Sequence, residues 1–270
     1  MRSMMEATIL ASILSAAVSI SVLTWLPRVC SHRHAGASGF AAGLTVAFAF
    51  AFGKHISPST YWHWLPWIVV VAGIIGPIGL ASGVTMGERW LMSAVLTLVA
   101  GFLLVPTRPS LLSIRLTYVL MFALTIWLLW GLADALATTR DVSLLGVILG
   151  CMTLNSGSIV AYSYSLTIGF LGLAAFASLT GGLVAFAWRR DSLIIRGMLA
   201  SQFLATGGVL LAALVNDGLN YAAVGLILVS PLMLLLFQIP AISRNRLISH
   251  WMAKISLALA PQFWAWWISI

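Results

Sequence analysis

Charge is what this sequence has least of. Lys, Arg, Asp and Glu make up 7% of its 270 residues, against about a quarter in a soluble domain. So few charges cannot clothe a water-facing surface, which excludes a soluble globular protein. Cysteine is nearly missing as well. Cys30 ends one apolar segment and Cys151 lies inside another, so a disulfide framework is disfavoured and both read as ordinary small residues. The histidines His32, His34, His55, His63 and His250 fall between or beyond the apolar runs. That disfavours a haem held by two intramembrane histidines, and no cofactor is expected; the pair His32 and His34 reads as solvated loop residues. No ionisable residue stands at the centre of an apolar run, which argues against transport coupled to a buried proton carrier. The nearest is Asp134, read as an interfacial carboxylate at the end of its helix. The period-two alternation of a membrane β-barrel is also missing.

What is present is apolar surface: 61% of residues are hydrophobic and the mean hydropathy is +1.05. Runs of about 20 apolar residues recur, and in lipid each must satisfy its own backbone hydrogen bonds as a helix. The expected fold is an all-α integral membrane protein, a polytopic helical bundle. Nine transmembrane helices are expected, at residues 7–26, 38–53, 65–84, 90–106, 114–134, 143–162, 166–187, 195–215 and 222–239. Residues 1–243 would form this transmembrane domain. Residues 244–270 would add an interfacial amphipathic helix, with Leu247, Trp251, Ile255 and Leu259 near one face, and an aromatic anchor after Pro261. Arg2 and the small-residue set Ala35-Gly36-Ala37 outline a secretory leader, but the first run is too long and Pro27, Arg28 and Arg33 intervene, so span one is expected to be retained.

The net charge of +8 does not point to nucleic acid, because the basic residues lie mainly between apolar runs. Ten of the 14 Lys and Arg fall on one side of the expected spans and four, Arg2, Lys54, Arg108 and Arg115, on the other. That bias puts the C-terminus in the cytoplasm and the N-terminus outside, in a plasma or inner membrane. Trp62, Trp64 and Trp67 with Tyr61 place rings at headgroup level before span three. Glycines in spans three, seven and eight suit close helix packing.

Gly36-Ala37-Ser38-Gly39, opening span two, resembles the Gly-x-Ser-Gly motif of rhomboid intramembrane proteases. The resemblance implies Ser38 as nucleophile and a base histidine within a later membrane helix. His250, flanked by Ser249 and Trp251, instead follows the last span. Packing or capping by Ser38 is the competing reading.

The most polar interruption of any apolar run is Gly150 to Ser158. An amide in hydrocarbon must find a partner. If Gly157 loosens the helix, Asn155, Ser156 and Ser158, with Gln202 from span eight, would form an uncharged midplane site for a small neutral or amphiphilic solute; otherwise Asn155 bonds to a neighbouring helix. The sequence therefore suggests a permease-like protein, with a non-catalytic membrane subunit that docks partner proteins as the alternative. The lipid bilayer is the one partner the composition requires.

Overall fold

The computed structural model describes residues 2–25, 32–52, 58, 60–81, 84–106, 112–138, 142–216, 219–236 and 251–269. The expectations for Cys30, His55 and the segment 244–250 lie outside these residues, as does the side chain of His32.

The described chain is helical. Helices α1 (Arg2–Trp25) and α2 (His32–Phe52) are followed by a 3-10 turn (Tyr61–Trp64) that runs directly into α3 (Leu65–Gly79). Then come α4 (Met86–Leu104), α5 (Leu112–Ala137), α6 (Val142–Ser163), α7 (Leu166–Arg189) and α8 (Ser192–Val215). A ninth helix, α9 (Tyr221–Val229), passes through a 3-10 turn at Ser230–Leu232 into the short α10 (Met233–Leu236), and α11 (Trp251–Ser269) follows. Six helical segments, Tyr61–Gly79 and α4 to α8, are long and apolar enough to cross a membrane; Thr8–Val22 and Tyr221–Leu236 are shorter apolar stretches. The protein is an all-α membrane bundle.

Local chemistry fixes where several helices begin. Thr85 and Glu88 form a capping box at α4, each side chain bonding the other's backbone N–H. Ser165, Asp191 and Asn220 cap α7, α8 and α9 by accepting from Ile168, Leu193 and Ala222 N–H. The turn from α7 to α8 needs only Arg190 and Asp191. Arg190 takes the left-handed conformation (φ 54°) and donates its N–H to the Phe186 carbonyl, which closes α7 without a glycine.

Packing centres on α8. Every residue from Ile194 to Ala213 is buried apart from Arg196, and α2, α3, α5, α6 and α7 all pack against the helix. The remaining long helices bury less: α4 and α5 turn Val95, Phe102, Leu120 and Leu124 outward, the pattern of a face in contact with lipid. Small residues set the closest approaches. A Cβ on Gly43 would lie 2.8 Å from the Ala11 carbonyl oxygen, and one on Gly157 would lie 2.6 Å from Leu173 N. Gly157 therefore does not loosen α6. The helix runs unbroken through it, and the missing side chain lets the backbone of α7 in.

Helix α11 also departs from the sequence expectation. It continues through Pro261, and Ala258, Gln262 and Ala265 are fully buried against α6, α9 and the Ser230 turn.

Candidate functional site

One end of the bundle gathers the last turn of α3, the first turns of α4 and α8, and the last turn of α5. Asp134 sits three residues before the end of α5. It accepts from Arg196 through both oxygens, Nε to Oδ1 at 2.7 Å and Nη2 to Oδ2 at 3.1 Å, and from Arg89 Nη2 to Oδ2 at 2.5 Å. Asp134 and Arg196 side chains are each 17% exposed and Arg89 31%. The carboxylate thus ties α5 to α4 and α8 rather than capping its own helix. Such a bidentate, partly desolvated pair is stronger than a surface ion pair.

Beside this triad lies a pocket of about 370 Å³. The three charged side chains supply its polar wall, and Trp90, Trp130, Met86, Leu80 and Ile75 its apolar one. Trp90 is held by Trp127, whose ring meets it edge-on at 4.9 Å and whose Nε1 donates to the Trp90 carbonyl at 3.0 Å. Gly131 allows the Trp90 ring to lie on α5, since a Cβ there would sit 2.5 Å from it. The arrangement presents cationic donors at one side and flat apolar surface at the other.

The residues expected at the midplane site are distributed differently. Asn155 Nδ2 donates to Gln262 Oε1 at 2.6 Å, and Asn155 Oδ1 accepts from Trp266 Nε1 at 3.2 Å. Gln262 Nε2 passes the chain on to Ser230 Oγ at 2.8 Å, so the amide joins α6 to α11 and the Ser230 turn. Gln202 points elsewhere, its Nε2 donating to the Leu149 carbonyl at 3.1 Å and to Thr153 Oγ1 at 2.9 Å. Ser156 donates to the Met152 carbonyl of its own helix, and Ser158 is half-buried. Neither the triad pocket nor a second cavity on α11, lined by Ile255, Phe263, Trp264 and Trp267 among others, includes any of these four residues.

Around Ser38 the small residues pack helices. Gly36 abuts the Ile194 carbonyl of α8, and Gly39 abuts Ser19 and the Ser15 carbonyl of α1. Ser38 Oγ donates to the Ala35 carbonyl at 3.2 Å, so its proton is held by a helix carbonyl rather than a base.

Sequence reasoning noted Asp134 but not its partners. The available signal was that Arg89 and Arg196 lie inside the helical segments, a turn from their start, on the side where span five ends. No family model and no curated protein matches the chain.

Proposed function

We propose that the protein is a permease-like membrane protein that binds an amphiphilic solute in the pocket beside Asp134. The observation that carries this is the pairing, in one pocket of about 370 Å³, of a partly buried charged triad with an apolar wall of Trp90, Trp130 and Met86. Ligand sites are concave, mainly apolar and marked by a few convergent polar groups, and a solute with one polar and one apolar end matches both walls. With the basic bias of the loops, this end of the bundle is the cytoplasmic one. A midplane step past the polar groups of Asn155, Ser156, Ser158 and Gln202 remains part of the proposal, without proton coupling. The test uses protein in phosphatidylcholine nanodiscs and twelve-carbon amphiphiles with different heads. At least one should protect a cysteine placed at Thr138, on the exposed pocket rim, from a maleimide, with Cys30 and Cys151 replaced by Ala. Ala135→Trp, which fills the rim, should abolish the protection. If no amphiphile protects, the pocket is not such a site.

A second reading is a membrane subunit that docks a partner protein through α11. Phe263, Trp264 and Trp267 are 72%, 65% and 83% exposed, a contiguous aromatic face of the kind found at interfaces. Isolation in mild detergent should then recover a stoichiometric partner that Trp264→Ala and Trp267→Ala release.

A further inference from the structure

The geometry points to a solute whose head carries one negative charge, a carboxylate or a singly ionised phosphate ester, with its apolar chain against Trp90 and Trp130. This inference rests on the amphiphile pocket proposed above and adds the charge of the head.

Two guanidiniums face one carboxylate, so the triad holds a net single positive charge within side chains that are 17% to 31% exposed. Glu88 lies outside the pocket lining, exposed in the first turn of α4 with its Oε2 accepting from the backbone N–H and hydroxyl of Thr85. Asp191 caps α8 and, like Arg189 and Arg190, lies outside the pocket lining. An uncompensated charge away from bulk water favours a counter-ion, and one monoanion balances the triad whereas a cation adds to the imbalance.

The unused donors point the same way. Arg196 bonds Asp134 through Nε and Nη2, and Arg89 through Nη2 alone. Arg196 Nη1 and Arg89 Nε and Nη1 make no hydrogen bond among the described residues, and both side chains line the pocket. Guanidinium edges suit carboxylate and phosphate oxygens. A neutral hydroxyl accepts from them without a charge of its own, and an ammonium head has no lone pair to accept with.

The experiment compares dodecanoate, dodecan-1-ol and acetate in the Thr138 cysteine protection measurement, with concentrations expressed as mole fraction in the nanodisc for the two twelve-carbon probes. Dodecanoate should half-protect at a mole fraction about tenfold or more below that of dodecan-1-ol, as a charge-assisted hydrogen bond predicts. Acetate should not protect at millimolar concentration. Arg89→Gln, at the more exposed guanidinium, should shrink the dodecanoate preference, and Arg89→Gln with Arg196→Gln should remove it. Each variant is first checked for an unchanged elution volume. Should the double variant fail to fold, Arg89→Gln and Arg89→Lys decide: Lys must keep part of the preference that Gln loses. Equal protection by dodecanoate and dodecan-1-ol overturns the anionic head and leaves the amphiphile pocket standing. Protection by acetate as strong as by dodecanoate overturns the amphiphile and leaves a small-anion site. Protection by none overturns both.

Discussion

Asn155 and Gln262 share a hydrogen bond of 2.6 Å although 107 positions separate them. Every amide nitrogen and oxygen of the pair is used: Asn155 Nδ2 donates to Gln262 Oε1, Asn155 Oδ1 takes the Trp266 indole N–H, Gln262 Nε2 reaches Ser230, and Ser230 donates to the Ile227 carbonyl. A polar chain satisfied this way in an apolar bundle holds three segments in one register.

Removing either partner should therefore loosen α11. Asn155→Leu and Gln262→Leu are each expected to destabilise the bundle by about 1 kcal/mol, with a coupling of similar size in the double variant. Reversible unfolding in mixed micelles measures this. Additive effects with no coupling would show that the bond contributes nothing beyond each side chain alone.

The depth of α11 leads to a second expectation. Gln262 is level with Asn155, and Ser163 Oγ reaches the Ser269 carbonyl at 3.4 Å, so α11 runs alongside α6 towards the same end. Its 19 residues span about 28 Å at 1.5 Å per residue, close to the hydrocarbon thickness. If α6 crosses the membrane, the Ser269 end of α11 emerges on the same face as the Ser163–Ser165 turn, opposite the face that carries Arg189 and Arg190. The loop-charge reading of the sequence puts it on the cytoplasmic face instead. A cysteine at Ser269, in a background without Cys30 and Cys151, should react with an impermeant maleimide on intact cells, as should one at Ser165. Labelling only after lysis would return α11 to the inner surface.

The long helices were legible from apolar length alone. The run read at 143–162 is α6 at Val142–Ser163, and that at 166–187 is α7 at Leu166–Arg189. Which helices neighbour one another was not legible, because hydrophobic periodicity carries little information where both lipid and protein interior are apolar. Asp134 could be placed at a helix end from sequence, but its bonds to Arg89 and Arg196 cross 45 and 62 positions and depend on α4, α5 and α8 meeting. The aromatic anchor expected after Pro261 is instead a continuation of α11, although an interior proline removes a backbone donor. Tertiary contacts made by Ala258, Gln262 and Ala265 outweigh that local cost.

Glycines in α6 should separate by role. A Cβ on Gly157 meets backbone atoms of Gly172 and Leu173 at 2.6 to 2.8 Å, whereas one on Gly150 meets only ring and methyl carbons of Phe176 and Leu183 at 3.8 and 3.9 Å. Gly157→Ala should cost about 1–3 kcal/mol through forced separation of α6 and α7. Gly150→Ala should be neutral or stabilising by a few tenths, roughly up to 1 kcal/mol, from helix propensity. Thermal denaturation of the two purified variants checks the order, and equal stability would contradict the close approach at Gly157.

Gln202 gives the sharpest separation between a packing residue and a solute ligand. It is 1% exposed, and its Oε1 has no hydrogen-bond partner among the described residues. A buried acceptor left without a donor costs about 1–3 kcal/mol, while each bond made by its Nε2 returns about 1 kcal/mol. These terms nearly cancel. Thr153 also keeps its bond to the Leu149 carbonyl when the amide is removed. Gln202→Met, similar in shape and without polar atoms at its tip, should therefore change stability by less than about 1 kcal/mol. If Gln202 acts only in packing, amphiphile protection at Thr138 and any measured uptake are also unchanged. A variant that is equally stable but loses uptake would identify the unpaired Oε1 as an acceptor for a solute group, and would place the midplane step at Gln202 rather than at Asn155.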